Sequence, residues 1–149
     1  MSQNITCLII KEDSGIINKS INQIRLDGFI FIRFKDDFKT FIKNARDFDE
    51  LEVYLDYVKS RYDFEEDDTV QDLVRIIEEY KLDTFILEHY FEFGDIPVCH
   101  FFMMVEDGKI INESLVFDDE FSADNYSSVQ DYHFQFGLHF NWLLRTDLW

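Results

Sequence analysis

The chain has 149 residues, a length typical of one domain, and carries a net charge of −17 from 31 acidic and 14 basic residues. Hydrophobic residues make up 46% and aromatic residues 17%, which excludes a disordered acidic tail and predicts a folded domain with its own core. So much negative charge disfavours binding to nucleic acid or to an anionic membrane surface.

The first part of the chain predicts two strands and one segment that fits two structures. Residues 4–11 and 29–35 are short apolar runs rich in β-branched and aromatic residues, as strands are. Residues 14–27 fit either an amphipathic helix that ends before Gly28 or a strand that turns at Asp27-Gly28. The isoleucines of this segment suit both structures, so both alternatives stay open.

The middle of the chain predicts three consecutive amphipathic helices. Residues 36–46, 47–62 and 68–81 each place apolar side chains at i, i+3, i+4 and i+7, the spacing of one buried helix face. An aspartate cap precedes the first helix, and Asp47 with Glu50 resembles a capping box for the second. These three segments predict a helical layer that packs against the strands.

The last third of the chain predicts a four-strand meander. Residues 84–93 alternate as a half-buried strand, with Glu88 and Glu92 on the side away from the core. Asp107-Gly108 predicts a tight hairpin within 98–117, and residues 131–142 alternate as a fourth antiparallel strand. In the hairpin, Glu106 opposite Lys109 predicts a cross-strand ion pair. The whole chain is therefore expected to be a single α+β domain, with central helices packed against a mainly antiparallel sheet.

The four histidines do not predict a metal site. If residues 94–97 form a tight turn, His89 and His100 are diagonal neighbours on an aromatic face, but no third ligand lies there in sequence. His133 and His139 share the polar face of the predicted last strand, where they are about 20 Å apart. Core histidines explain the first pair better than a shared ion, and the second pair cannot bind one ion together.

No sequence motif predicts a catalytic or cofactor site. Cys7 and Cys99 lie in apolar runs where a buried, reduced thiol is the ordinary state. Phosphate-binding loops, nucleophile elbows and zinc-protease motifs are absent from the sequence, and neither acidic segment has the glycine and glutamate of an EF-hand loop. We therefore expect no catalytic residue, no metal and no cofactor.

The start of the chain lacks the features of a secretory signal, and no apolar run is long enough to cross a bilayer. Together with the low cysteine content, this predicts a cytoplasmic protein that does not bind membranes. The sequence does not indicate an oligomeric state.

The acidic residues are unevenly distributed along the chain. Residues 1–46 hold 8 basic and 5 acidic residues, whereas residues 47–149 hold 6 and 26. Two segments carry acids without nearby bases, and we predict that they contact a partner through Asp63, Glu65, Glu66, Asp67, Asp118, Asp119, Glu120 and Asp124. The ordinary explanation is that Asp67 or Asp68 caps a helix and the others lie in solvated loops.

In its small size, strong negative charge and expected α+β fold, the chain resembles bacterial immunity proteins that block nuclease toxins of contact-dependent or polymorphic secretion systems. Such proteins are small, strongly acidic and often α+β, and the Ile-, Asn-, Lys- and Phe-rich composition is typical of an AT-rich bacterial gene. The resemblance implies a binding protein, not an enzyme, that neutralises a basic toxin domain by covering its active site or an adjacent surface. It concerns the overall character of the chain, so it implies no role for an individual residue.

Two other functions fit the same charge. A nucleic-acid mimic that inhibits a restriction or CRISPR enzyme requires carboxylates spaced like phosphates along an elongated face. The nearly balanced charge of residues 1–46 argues against a mimic that extends over the whole chain. A carboxylate-dependent enzyme, with or without a metal, requires a pocket in which two or more acids converge with raised pKa values.

Overall fold

The computed structural model of the chain describes residues 3–12, 23–35, 38–61, 68–93, 96–112, 116–118 and 123–139. These residues form helices and one antiparallel sheet, which confirms the predicted α+β class. None of the described helices is long and apolar enough to cross a membrane.

The described elements follow one another as strands, then helices, then strands and a final helix. They are β1 (Gln3–Lys11), β2 (Gln23–Leu26), β3 (Phe29–Phe34), α1 (Lys39–Ala45), α2 (Leu51–Arg61), α3 (Asp68–Glu79), β4 (Phe85–Phe93), β5 (Ile96–Glu106), β6 (Lys109–Ile110), β7 (Val116–Asp118) and α4 (Ala123–Phe136). The spatial order of the strands is β2-β3-β1-β4-β5-β6, and β7 also pairs with β5. The central strands β1 and β4 are thus paired with a neighbouring strand on each side.

Both faces of the sheet are covered. On one face, Leu8 and Phe101 belong to a core with the apolar sides of α1, α2 and α3. On the other face, Ile9 and Phe102 belong to a second core with Val129 and other residues of the α4 region. Because successive strand residues point to opposite faces, one apolar strand sequence supplies both cores.

The strand alternative is correct for the end of the segment 14–27. Residues 23–26 form β2 and pair with β3, and Asp27 and Gly28 have φ values of 53° and 86°. Two consecutive positive φ angles make the type I′ turn that matches the twist of a two-strand hairpin. Residues 13–22 lie outside the described residues.

The three central helices are confirmed, but two of their predicted caps are wrong. The N-cap of α1 is Phe38, in the left-handed region at φ 56° and without a side-chain cap. Helix α2 begins at Leu51, so Asp47 is too far upstream for a capping box. Instead the Leu51 amide donates to the carbonyl oxygen of Gly108 at 2.9 Å, so a hairpin turn performs the capping that the prediction gave to Asp47.

The predicted fourth strand is wrong, because residues 123–136 form helix α4. One stripe of this helix faces the second core. Its residues have the spacing i, i+3, i+4, i+7 and are Val129, Tyr132, His133 and Phe136. Gly137, at φ 98°, ends the helix in a Schellman motif: its amide donates to Phe134, and the Leu138 amide donates to His133.

The predicted hairpin at Asp107-Gly108 is confirmed, and its second strand consists of two short strands. Glu106 pairs in register with Lys109 in β6, and β7 pairs with β5 further along. The predicted meander is thus present as β4, β5 and β6, with β7 beside β5 and α4 following in place of the last strand.

Candidate functional site

A cleft of about 610 Å³ lies at one end of the helical layer. It lies where the start of α2, the end of α3 and the β5–β6 turn meet. The lining residues come from these three places and are Glu50, Leu51, Glu52, Leu55, Asp56, Ile77, Glu78, Lys81, Leu82, Asp83, Asp107, Gly108 and Lys109. We call this the acidic cleft.

Backbone hydrogen bonds hold the three walls of the acidic cleft together. The Gly108 carbonyl accepts from Leu51, and the Gly108 amide donates to the Asp83 carbonyl at 2.8 Å. At the end of α3, Lys81 adopts φ 52° and the Leu82 amide donates to Ile77, which turns the chain toward β4. The cleft therefore depends on one turn that contacts the start of α2 and the segment after α3, both of which are distant from the turn in sequence.

The chemistry of the acidic cleft is an apolar floor beneath a rim of mostly negative charge. Leu51, Leu55, Ile77 and Leu82 are buried. The charged residues of the lining are exposed, and they are the carboxylates Glu50, Glu52, Asp56, Glu78, Asp83 and Asp107 and the amines Lys81 and Lys109. Glu78 already pairs with Lys59 at 2.5 Å. Such a surface is suited to a cation on an apolar stem, as in arginine or lysine.

A buried polar cluster lies around Glu88 of β4, in the second core, between the sheet and α4. Nε2 of His100 is 2.5 Å from one carboxylate oxygen, and Nε2 of His133 is 2.7 Å from the other. All three side chains are buried. Glu88 was predicted to face solvent, and this prediction is wrong because α4 covers the face on which it lies.

This environment strongly favours the ionised form of Glu88. Burial by itself raises the pKa of a carboxyl group, but the charge of His133 and the hydrogen bonds from both imidazoles outweigh burial. As a result, the pKa of Glu88 lies well below its usual range. The opposite holds for Cys7, directly across from Glu88 in β1: burial and the Glu88 charge raise the pKa of its thiol, which makes it a poor nucleophile.

The predicted pairing of His89 with His100 is wrong. The register shifts between Phe91 and Glu92, so His100 lies opposite Tyr90 and His89 lies opposite Phe101. A shift of one residue places the two histidines on opposite faces of the sheet. His89 instead shares a 2.8 Å hydrogen bond with the Thr6 hydroxyl on the side of α1–α3.

The prediction that His133 and His139 share the polar face of a strand is also wrong, because the predicted strand is a helix followed by a turn. His133 points into the second core, whereas His139 is exposed and stacks on Phe134. Over the described parts of the chain, no group of three or more His, Cys, Asp or Glu side chains is arranged to hold a metal ion.

The described lining of the acidic cleft contains none of the eight residues predicted to contact a partner. Asp63, Glu65, Glu66 and Asp67 lie outside the described residues, as do Asp119 and Glu120. Asp118 lies in β7 and Asp124 in α4, but their side chains are outside the described part of the structure. The first segment connects Arg61 to Asp68, and these residues are the ends of α2 and α3 that do not line the cleft.

Sequence reasoning missed the acidic cleft because its residues come from three separate stretches of the chain. The Asp107-Gly108 turn was a signal, but its docking onto the start of α2 is visible only in the tertiary structure.

Comparison of the chain with models of known protein families, with curated proteins and with solved structures finds no match.

Proposed function

We propose that this protein is an acidic binding protein that neutralises a basic protein partner, and that the partner is a bacterial nuclease-type toxin for which it provides immunity. The observation that carries the proposal is the acidic cleft, in which six carboxylates and two amines surround an apolar floor. The character of the whole chain, with its net charge of −17, supports the same class of function.

The geometry of the acidic cleft supports recognition of an arginine or lysine side chain of the partner. The aliphatic stem would lie against Leu55 and Ile77, and its charged end would reach carboxylates such as Asp56 and Asp83. Interface hot spots are typically residues of this kind, buried in a pocket from which water is excluded. Removal of the partner's active-site cations from solvent would inhibit an enzyme that binds the phosphates of nucleic acid.

The charge distribution supports a localised contact over a full-length mimic of nucleic acid. Residues 1–46 are slightly basic, so the negative charge is concentrated in the rest of the chain and not spread along its entire length. An uneven field orients a basic partner during approach and raises the association rate at low salt. The predicted acidic residues at 63–67 and 118–124 would add to this attraction even if they do not line the cleft.

The first test of the proposal is genetic. We expect a neighbouring reading frame for a large protein that ends in a basic toxin domain, and co-expression with this protein should restore growth of cells that produce the domain. A gene neighbourhood without such a reading frame, or toxicity that persists on co-expression, contradicts immunity.

The second test locates the contact by charge reversal, with that toxin domain as the probe. One variant combines Asp56→Lys and Asp83→Lys in the acidic cleft, and another combines Glu65→Lys, Glu66→Lys and Asp67→Lys. The control is Asp131→Lys, which reverses an exposed acid on α4. We expect the cleft variant to weaken the complex at least about a hundredfold and the control to change it little.

The outcomes of the second test distinguish the two surfaces. Loss of binding only in the 65–67 variant assigns the contact to that segment, and equal binding by all variants rejects both surfaces. A carboxylate-dependent enzyme would instead turn over a substrate without a protein partner, and that activity would be lost in the cleft variant while the protein stayed folded.

A further inference from the structure

Helix α4 is attached to the sheet by a polar contact inside an otherwise apolar core. His133 of α4 contacts one oxygen of Glu88, and His100 of β5 contacts the other. The neighbouring residues of the α4 region that enter this core are Val129, Phe136 and Leu138. One carboxylate therefore joins a helix to two adjacent strands within a buried layer.

The protonation state of Glu88 determines whether this contact is favourable. The ionised carboxylate accepts a hydrogen bond at each oxygen from an imidazole N–H. A protonated carboxyl group must place an O–H toward one of these donors, and it no longer offsets the charge of a protonated imidazole nearby. Both losses act on the contact between α4 and the sheet.

We propose that the Glu88–His133 contact is a pH-dependent latch that holds α4 on the sheet, so that protonation of Glu88 releases α4 while the α1–α3 layer stays packed.

Among the described residues, other titratable or charged groups lie on the elements that pack against the latch. Strand β1 contributes Cys7, β4 contributes Tyr90, and Tyr132 lies on α4 next to His133. Arg33 of β3 pairs in register with Cys7 and is exposed, and Asp118 of β7 pairs in register with His100. Among them, Glu88 is the group that both imidazoles contact, so its ionisation controls the latch.

The chain contains an internal reporter for each layer. Cys7 belongs to the core beneath α4, and Cys99 belongs to the core beneath α1, α2 and α3. Both thiols are buried, and neither is in a disulfide bond. Release of α4 alone exposes Cys7, whereas global unfolding exposes both thiols.

The test is the ratio of the labelling rates of Cys7 and Cys99 by 4,4′-dithiodipyridine, a reagent that reacts with thiols in acid as well as at neutral pH. Single-cysteine variants, Cys7→Ala and Cys99→Ala, assign each rate. Between about pH 7 and about pH 3, a range that extends well below the ordinary pKa of glutamate, we expect the ratio to rise about tenfold. In Glu88→Gln the ratio should be high at both pH values and lose its pH dependence.

A second pair of variants keeps the test decisive if Glu88→Gln does not fold. His133→Gln retains an N–H donor but not the charge, and His139→Gln is the matched change at an exposed histidine just beyond α4. We expect a raised ratio at neutral pH in His133→Gln only. The proposal is overturned if the ratio in the wild-type protein is independent of pH, if the two thiols become reactive together, or if His133→Gln behaves like His139→Gln.

Discussion

Nε2 of His133 in α4 lies 2.7 Å from Oε1 of Glu88 in β4, across 45 residues of sequence and inside the core. The contact joins the last described helix to a central strand of the sheet. It also determines the first prediction, because a carboxylate buried between two imidazoles makes the stability of the protein depend on pH.

The pKa of Glu88 is depressed in the folded protein, so its ionised form stabilises the fold. This contribution is fully present above the ordinary pKa of glutamate, about 4.3, and is lost as the pH falls below it toward the folded-state value. We expect the free energy of unfolding in urea to decrease over this acidic range, and Glu88→Gln to remove part of the decrease.

At neutral pH, Glu88→Gln should itself destabilise the protein by roughly 1.5–3 kcal/mol, because hydrogen bonds to a charged group are lost in the core. The control is Glu79→Gln, at the exposed end of α3, which should have little effect. Equal stability of the two variants would show that the buried carboxylate contributes nothing.

Gly137 is the C′ residue of α4, and its φ of 98° is unfavourable for residues with a side chain. An added Cβ would lie 3.7 Å from the Phe29 ring, an ordinary contact, so space does not limit substitution. We expect Gly137→Ala to lower the free energy of unfolding by about 1–2 kcal/mol and Gly137→Asn to cost less, because asparagine tolerates left-handed conformations better. Thermal or urea unfolding measures both, and equal losses in the two variants would contradict this account.

Tyr54 of α2 donates its hydroxyl to the carbonyl oxygen of Phe41 in α1 and is fully buried. Loss of this hydroxyl should weaken the packing of α1 against α2. We expect Tyr54→Phe to destabilise the protein by about 1–1.5 kcal/mol. Tyr57→Phe, on the same helix at a half-buried position, is the control, and urea unfolding should rank the two in this order.

The Thr6 hydroxyl and Nδ1 of His89 form a buried hydrogen bond on the side of the sheet that faces α1–α3. Thr6→Val replaces the hydroxyl with a methyl group of similar size and should cost about 1–3 kcal/mol, because the bond to Nδ1 is lost in the core. Thr6→Ser keeps the hydroxyl and should cost less, although it removes a methyl group. If serine proves the worse substitution in urea unfolding, packing outweighs the hydrogen bond.

Local chemistry in the sequence determined much of the fold. Asp107-Gly108 forms the tight turn that its sequence predicts, and Asp27-Gly28 also turns with two positive φ angles, although the segment before it fitted a helix equally well. The apolar stripes of α1, α2 and α3 have the helical period, and all three helices form where the stripes predicted them. The α+β class follows from these elements in order.

The tertiary structure decided what local patterns left ambiguous. The segment that forms α4 contains two patterns. The alternation of a strand is present in Tyr132, Phe134 and Phe136, and the stripe of a helix is present in Val129, Tyr132, His133 and Phe136. Burial of the stripe against the sheet selects the helix. Phe134 is left 50% exposed as a consequence. The same helix buries Glu88, a residue that alternation alone assigned to solvent.

The sequence by itself thus determined the acidic character, the Asp107-Gly108 turn and the central helices, because each depends on composition or on residues close together in the chain. Only the tertiary structure decided the register between β4 and β5, the burial of Glu88 between two histidines and the acidic cleft. The physical reason is that these three features depend on contacts between residues far apart in sequence. A shift of one residue in the register moves a side chain to the other face of the sheet. The cleft exists only where the Asp107-Gly108 turn meets two helix ends.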